Sequence, residues 1–473
     1  MQKSLLYKTM IVIGLALVIC IPLHMIQSTI AERMLFRNEA VRSIGADSVY
    51  EQTLIGPLLI IPYTDEYEDQ EVIPDTRPVQ NRTVQRKLYK RLIVFPDEVR
   101  FKGKVDTDHR YRGIHKVLVY SSQQTVSGNF SLPGKDALSP ERPESRLTLG
   151  QPFVALSISD VRGIRNAPHL SWNGKPFEFQ QGSGLQAFRN GLHAPLERMT
   201  LDAPQKIAFS FELGLDGIER IRFAPVARNS EVTLVSDWPH PQFGGRFLPA
   251  PRERRIDANG FSATWRISAL ATDTQQQLSN VENQAAPQLR AEQLDLFGVG
   301  FIEPINIYSQ ADRAIKYGLL FVALTFAAFF LFELLKRLPI HPVQYTLVGL
   351  ALALFFLLLV SLSEHLQFAQ SYLIASSACV LLIGFYLAHV LRSRPRGFGF
   401  ALGLALLYAV LYGLLRSENN ALVLGSILLF AVLSAVMIAT RKVDWYRIGG
   451  PGQFAAAAPA YPRAAEPERP MNQ

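Results

Sequence analysis

The chain has 473 residues, of which 48% are hydrophobic, and it carries a formal net charge of +8 at pH 7. A chain of this length allows more than one domain. The Lys and Arg residues gather beside apolar runs and form no basic stretch interleaved with aromatic residues. The charge is therefore typical of membrane orientation signals and argues against nucleic-acid binding. Both cysteines, Cys20 and Cys379, lie inside apolar runs, so a structural disulfide is not expected.

A short polar segment, residues 1–8, opens the chain and is followed by an apolar run over residues 9–30. This run is longer than the core of a typical signal peptide, and no A-x-A-like cleavage site follows it. We therefore predict a cytoplasmic N-terminus and an uncleaved first transmembrane helix. Residues 31–50 place apolar side chains near helical spacing, which predicts a helical stalk.

Residues 51–312 form one large polar region in which strand signals dominate. Runs of β-branched and aromatic residues alternate with turns rich in Gly, Pro, Asn and Asp, and Asn173-Gly174 is typical of a two-residue hairpin. The pattern predicts an all-β, antiparallel, sandwich-like domain of one or two sub-domains, inserted between transmembrane helices one and two. Residues 272–292 show no clear period and are predicted to form a long surface loop.

Residues 313–440 are predicted to form a block of five further transmembrane helices. Each apolar run is close to the ~20 residues that cross a bilayer as a helix, and lipid offers the backbone no other hydrogen-bond partners. The Ala- and Pro-rich segment 441–473 is predicted to be a disordered cytoplasmic tail. The five runs are 314–335, 343–362, 372–391, 398–415 and 421–440.

The charges between the apolar runs predict an orientation. Lys and Arg residues are dense in the breaks 336–342, 392–396 and 441–447, whereas the alternate breaks 363–365 and 416–420 contain few. Short loops rich in Lys and Arg stay on the cytoplasmic side. Six helices then place both termini in the cytoplasm and the β domain in the periplasm.

Motifs for catalysis, metals and cofactors are missing from the sequence, which contains no HExxH, GxSxG, P-loop, CxxC or SxxK pattern. We therefore predict a protein that is not an enzyme and that has no metal or cofactor. Two dense polar stretches of the β domain either line a binding cleft or fix loops through side-chain hydrogen bonds, and the lack of nucleophile–base spacing favours the structural role. The candidate binding residues there are Asp160, Arg162, Arg228, Asn229, Trp238 and His240.

Glu333 is the ionisable residue best placed within the membrane block. Lys336 and Arg337 follow it at three and four positions, which predicts a helix-surface ion pair at the interface. A coupling-ion role is the alternative, although no charged residue lies in mid-span, which counts against an ion-coupled transporter. The glycines at 397, 399 and 403 are spaced to allow close approach between helices.

Long and specific strings of residues are distributed almost from end to end of the chain. They include Asp160-x-Arg162-Gly163-Ile164, Arg228-Asn229-Ser230-Glu231, Ser236-x-Trp238-Pro239-His240-Pro241, Phe329-Phe330-x-Phe332-Glu333, His341-Pro342-x-Gln344-Tyr345, Leu362-Ser363-Glu364-His365 and Asp444-Trp445-Tyr446. With these strings the chain resembles the CreD family of cell-envelope integrity proteins in the inner membrane of Gram-negative bacteria.

This resemblance implies an inner-membrane protein associated with envelope maintenance and, in some members, with the β-lactam response; it supplies no reaction and no catalytic residue. Because two of the strings meet at the inner end of helix two and the following loop, we expect a second candidate site, the inner corner, formed by Glu333, His341, Gln344 and Tyr345.

The leading hypothesis for function is a non-enzymatic protein, embedded in the lipid bilayer, whose periplasmic β domain binds an envelope component or a protein partner. One alternative is an enzyme that modifies envelope polymers through Asp160, Arg162, Asp237 or His240. The other is a transporter or lipid carrier in which Glu333 is the functional charge. Fold class alone does not decide among them.

Overall fold

A computed structural model describes residues 2–72, 81–113, 115–282, 284, 289–303, 307–336, 340–391, 393–416 and 421–441. The chain divides into two compact units. Residues 35–304 form the β domain, and residues 1–34 with 305–473 form the membrane unit. Helix α1 (Gln2–Asp47) contributes to both units, because it continues past residue 34 into the β domain. The predicted tail, 441–473, lies outside the described residues except for Arg441.

The β domain contains two large sheets. Their strands are β1 (Gln52–Val72), β2 (Asn81–Val94), β3 (Glu98–Arg112), β4 (His115–Leu132), β5 (Arg146–Leu149), β6 (Phe153–Ile158), β7 (His169–Trp172), β8 (Lys175–Glu178), β9 (Gln180–Gln181), β10 (Gly191–Pro195), β11 (Gln205–Ile218), β12 (Arg220–Phe223), β13 (Asn229–Ser236), β14 (Pro241–Gly245), β15 (Arg254–Asp257), β16 (Gly260–Ser268) and β17 (Phe297–Phe301). The first sheet runs in the order β14-β17-β12-β1-β6-β10-β9, with β2 and β5 also paired to β1, and the second runs β15-β16-β13-β3-β4-β11-β7-β8.

Alternating side chains explain the sheets and their shared core. Strands β3 and β13 bury every second residue over most of their length, which gives the second sheet one apolar face. In the first sheet, β6 and β17 bury residues on both faces. The inward faces contribute Phe130, Phe223, Trp265 and Phe297 to one hydrophobic cluster. The predicted Asn173-Gly174 turn joins β7 to β8, and both of its residues have positive φ, 49° and 81°.

The sheets are mixed, so the expectation of a purely antiparallel domain was too narrow. Strand β1 runs parallel to β12, with Gln52 opposite Ile221, and β13 runs parallel to β3, with Asn229 opposite Glu98. Parallel neighbours need long connections. Such pairing joins segments far apart in the chain, and local turn signals carry no information about it.

The segment 272–292 is not simply a surface loop, because it contains helix α2 (Thr274–Glu282). Thr274, Leu278 and Glu282 repeat at helical spacing and are all buried. Leu278 packs with Leu58 and Leu296 in a second cluster of the β domain. The repeat is only about two turns long and two of its three residues are polar, which is why its apolar period is weak in the sequence.

The membrane unit contains α3 (Ile307–Lys336), α4 (Pro342–Ser363), α5 (Phe368–Val390), α6 (Arg394–Arg416) and α7 (Ala421–Thr440). Within the described residues, five helices are long and apolar enough to cross a membrane, namely α1 and α3 to α6. In α7 the apolar stretch is shorter, Val423–Ile438. The protein is therefore a membrane protein with an N-terminal helix, four further apolar helices and a mixed-sheet domain between them.

One apolar cluster joins α1 to the bundle of α3 to α6. It contains Ile19 of α1, Phe326 of α3, Val348 of α4, Cys379 of α5 and Tyr408 of α6. Among the described side chains, none of α7 belongs to this cluster. The glycines of α6 behave differently from one another: a Cβ at Gly397 would meet Ala388 at 2.6 Å, whereas Gly399 and Gly403 have nothing within 4 Å.

Ion pairs hold both ends of the membrane part of α1. Lys8 pairs with Glu333 of α3, and Arg33 Nε lies 3.4 Å from Glu364 Oε1 at the end of α4. Between them, residues 9–31 contain no Asp, Glu, Lys or Arg. The charged contacts therefore bracket an uncharged stretch, as expected for a helix that crosses hydrocarbon.

Candidate functional site

Asp160 and Arg162 lie together and bind the C-terminal end of α1. The Arg162 guanidinium donates to Asp160 Oδ2 at 2.6 Å, to the Ala46 carbonyl at 2.6 Å and to the Gly45 carbonyl at 3.0 Å. The last carbonyls of a helix lack partners within the helix, and a cation there also interacts favourably with the helix dipole. The guanidinium also lies 5.5 Å from the ring centroid of Tyr50. These contacts give Arg162 a structural task.

The Asp160 carboxylate has four hydrogen-bond donors around it. Besides the Arg162 guanidinium, it accepts from the backbone N–H of Arg162 at 3.2 Å and of Tyr50 at 3.0 Å. Burial raises the pKa of Asp160, but the hydrogen bonds from Arg162 and Tyr50 outweigh it, so the pKa lies below its usual 3.8. The carboxylate stays ionised and fully engaged, which suits an anchor better than a proton carrier.

Trp238 and His240 lie beside the point where the chain leaves the β domain. The Trp238 indole Nε1–H donates to the Ile302 carbonyl at 3.0 Å. Its ring contacts His240 edge-on at 6.0 Å between centroids and His109 at 5.8 Å. His109 Nε2 in turn lies 3.2 Å from Glu303 Oε1. This group of side chains fixes the segment that follows β17.

Arg228 and Asn229 lie apart from the other candidates. Both are exposed, and they line a cleft of about 610 Å³ together with Pro96 and Leu270. The hydrogen bonds that join these two residues to the rest of the domain run through the backbone, as in the 2.9 Å contacts to Pro96 and Asp97. The structure therefore does not gather the six β-domain candidates into one site.

The inner corner brings Glu333 and Tyr345 together. The Tyr345 hydroxyl donates to Glu333 Oε2 at 2.7 Å. Glu333 Oε1 accepts hydrogen bonds from Lys8 Nζ and from the Ile340 backbone N–H. Glu333 is 5% exposed, and the Phe329 ring packs at an inclined angle against the Tyr345 ring, with 4.7 Å between the ring centroids. Glu333 thus pairs with a lysine far away in the chain. Its predicted partners, the Lys336 side chain and Arg337, lie outside what the structure describes.

His341 and Gln344 begin helix α4. His341 is the N-cap, and its Nδ1 accepts from the Val343 N–H at 3.3 Å. Gln344 Oε1 accepts from the His341 N–H at 3.2 Å, which completes a capping box. These two residues of the inner corner therefore define where α4 starts, immediately beside the buried Glu333 carboxylate.

A cleft that the sequence did not indicate lies on the first sheet, where β14, β17 and β12 are neighbours. We call it the arginine trough; its volume is about 560 Å³, and its lining includes Arg220, Arg222 and Arg246. The register places Gln242, Gly300 and Arg220 in one row across the strands, and Gly244, Gly298 and Arg222 in the next. The alternation Phe-Gly-Val-Gly-Phe in β17 is the signal that was missed, since it leaves one sheet face without side chains.

Acidic residues partly balance the arginines of the trough. Arg222 reaches Glu51 at 3.3 Å, Arg220 lies 3.9 Å from the same carboxylate, and Arg246 lies 3.7 Å from Asp295. Arg222 Nε is nevertheless buried without a hydrogen-bond acceptor. A buried donor without a partner is costly, so this atom marks a place where an acceptor would be stabilising.

No cluster of three or more His, Cys, Asp or Glu side chains that could hold a metal ion occurs within the described residues. The fold and the sites described so far define the class of protein: it is a multi-helix membrane protein with a large inserted β domain. Residues 4–446 match the family described as "Inner membrane protein CreD". The chain belongs to this family.

A curated relative and a solved structure were compared with the chain. It is 35% identical over 451 residues to the inner membrane protein CreD of Escherichia coli, covering 95% of this chain and 96% of that protein. Among solved structures, an M1 zinc metallopeptidase from Deinococcus radiodurans matches with a TM-score of 0.17 and 10% identity, over 37% of this chain and 38% of that one. A likeness this small carries no argument about fold or chemistry.

Proposed function

We propose that this inner-membrane protein supports the integrity of the cell envelope by holding its β domain in the periplasm, where the domain binds an envelope component or a partner without chemical change. The observation that carries this proposal is the arginine trough, an open cleft whose lining includes Arg220, Arg222 and Arg246. Clefts of this size are typical of ligand sites.

The other candidate residues of the β domain are occupied by hydrogen bonds within the protein, which favours a binding function over catalysis. Asp160 and Arg162 are held by each other and by the end of α1, and Trp238 donates to a backbone carbonyl. A catalytic carboxylate or base needs access to substrate and a pKa suited to proton transfer. Asp160 has neither, which disfavours the enzyme hypothesis.

The position of Glu333 disfavours the transporter hypothesis. Its carboxylate accepts from Lys8, Tyr345 and the Ile340 backbone near the end of α3. Coupling-ion sites of transporters usually lie near the middle of the bilayer, where helices are broken.

Crosslinking in living cells tests the binding proposal. A photo-crosslinking amino acid at Gln242 in the trough is expected to capture an envelope component. The matched control is Arg255, whose side chain is 83% exposed on the other sheet. Capture from the control alone, or capture only of cytosolic material from Gln242, would overturn the proposal.

Orientation is tested separately. We propose six membrane spans, including α7, with both termini in the cytoplasm, since Lys and Arg gather in alternate loops. A reporter that is active only after export, inserted after the fully exposed Leu270, is expected to be active. The same reporter placed after residue 441 is expected to be silent. The opposite result would invert the topology.

A further inference from the structure

The arginine trough has the shape and charge of a site for a particular chemical class. Its floor is backbone, because β17 presents Gly298 and Gly300 to the trough and β14 presents Gly244. A Cβ built at Gly244 has nothing within 4 Å, and one at Gly300 first meets Arg220 at 3.5 Å. The space above Gly244 is therefore open, and that above Gly300 leaves room for an ordinary contact, whereas a Cβ at Gly298 would meet the Ile221 carbonyl oxygen at 2.1 Å. A flat group can approach the sheet closely at Gly244 and Gly300.

The walls of the trough carry guanidinium groups. Arg220 and Arg222 project from β12 on one side, and Arg246 follows β14. Guanidinium groups bind carboxylate and phosphate through paired, charge-assisted hydrogen bonds. Arg246 is the most open of the three, because its side chain is 74% exposed.

The rest of the lining combines polar and apolar residues. Gln242, Glu292 and Asp295 offer amide and carboxylate oxygens to hydroxyl groups. Leu294 and Leu296 also line the trough but are only 4% and 6% exposed, because they belong to the second cluster of the β domain, and Phe243 is half-buried. A lipid tail would therefore find little apolar surface there.

We infer that the arginine trough binds an anionic sugar unit, one whose ring rests on the glycine floor and whose carboxylate or phosphate group is held by Arg220, Arg222 and Arg246. This inference deepens the proposed function and rests on it for biological meaning, since it names the chemistry of the envelope component. Binding itself is a property of the trough and is tested with defined sugars.

The experiment uses the full-length protein in nanodiscs of neutral lipid. Binding of glucuronate, glucose 6-phosphate and uncharged glucose is measured by ligand-observed NMR. The two charged sugars are expected to bind at least about tenfold more tightly than glucose. Added salt is expected to weaken their binding, and the size of this loss measures how much of the binding free energy is electrostatic. The comparison of the two charged sugars distinguishes carboxylate from phosphate as the preferred group.

Three variants locate the site. Arg222→Gln removes a guanidinium but keeps the shape, and Gly244→Val fills the open floor but keeps every charge; both are expected to reduce binding by about tenfold or more. Arg255→Gln removes a cation from the other sheet and is expected to leave binding unchanged. Unchanged thermal unfolding shows that each variant is folded.

The outcomes separate the two proposals. Charged-sugar binding that is lost in Arg222→Gln but unaffected by Gly244→Val would indicate diffuse charge attraction and overturn the trough as the site. Equal binding of glucose, or attachment only to phosphatidylglycerol vesicles, would overturn the ligand class. If the sugars bind as expected but Gln242 captures no envelope component in cells, the proposed function fails while the site stands.

Discussion

The Arg162 guanidinium donates a hydrogen bond to the Gly45 carbonyl oxygen at 3.0 Å, and this contact joins a short loop after β6 to the last turn of helix α1. Gly45 also leaves room for the Tyr50 ring, because a Cβ at position 45 would meet that ring at 2.5 Å. The last turn of α1 is thus held against the loop after β6 within the β domain.

Removing this contact is expected to loosen the end of α1. In Arg162→Gln, the Gly45 and Ala46 carbonyls lose a charged donor, so the backbone amides of residues 44–48 should exchange with solvent faster. Hydrogen–deuterium exchange on the full-length protein measures this. The control is Arg165→Gln, which removes a neighbouring guanidinium paired to Asp216 and should not change exchange in α1. Equal protection in both variants would contradict the anchoring role.

The Asp160 carboxylate makes stability depend on pH in a defined direction. Its pKa in the folded protein lies below the usual 3.8, so its ionised form stabilises the fold above that pH. The stabilisation is lost as the pH falls through the folded pKa. Asp160→Asn should therefore cost about 1–2 kcal/mol of unfolding free energy near neutral pH. The difference from the wild type should shrink as the pH falls below 3.8 and through the folded pKa.

Chemical unfolding of the full-length protein at several pH values measures this effect. The exposed carboxylate of Asp136, replaced in Asp136→Asn, reports the background. A difference between Asp160→Asn and the wild type that stays constant with pH would show that the ionised form of Asp160 has no special role.

Substitutions of Glu333 are expected to lower the free energy of unfolding by an amount that grows with the number of contacts they remove. Glu333→Gln keeps an acceptor for the Tyr345 hydroxyl and should cost about 1 kcal/mol, whereas Glu333→Ala leaves Tyr345 and Lys8 without their acceptor and should cost about 2–4 kcal/mol. A double-mutant cycle of Glu333→Gln with Lys8→Met, measured by unfolding in mixed micelles, should give a coupling energy of about 1 kcal/mol. Strict additivity would rule out the Lys8–Glu333 pair.

Gly349 is expected to be the glycine of α4 that sets the distance to α1. A Cβ there would meet Ile19 Cγ1 at 2.7 Å and Phe326 Cζ at 2.8 Å. Gly349→Leu should therefore destabilise the membrane unit by about 1–3 kcal/mol through overpacking. Gly413→Leu on α6 is the matched control, since nothing lies within 4 Å of that position. Equal unfolding midpoints for the two variants would show that α1 does not pack there.

Patterns within short stretches of the sequence predicted the structural elements that form from residues close together in the chain. The apolar runs predicted the helices of the membrane unit because each run contains its own length and hydropathy. Asn173-Gly174 predicted its turn for the same reason. The parallel pairing of β1 with β12 could not be predicted, because Gln52 and Ile221 meet only through the tertiary fold.

The candidate residues show the same division. Asp160 and Arg162 are two positions apart, and their mutual contact is local, but the helix carbonyls that complete their environment come from a distant segment. Lys8 was unpredictable as the partner of Glu333 for this reason. The arginine trough combines three strands, so its glycine floor becomes visible only once β14, β17 and β12 are aligned.

The charged contacts at the two ends of α1 also set a length. Lys8 and Arg33 are roughly 25 residues apart, which is about 37 Å of helix at about 1.5 Å per residue. That exceeds a hydrocarbon core of about 30 Å, so both ion pairs reach the headgroup layers on opposite faces. A helix held at both ends tilts only as far as its partner helices do. In a markedly thinner membrane, we therefore expect α1 and its partner helices to tilt together or the lipid around them to deform.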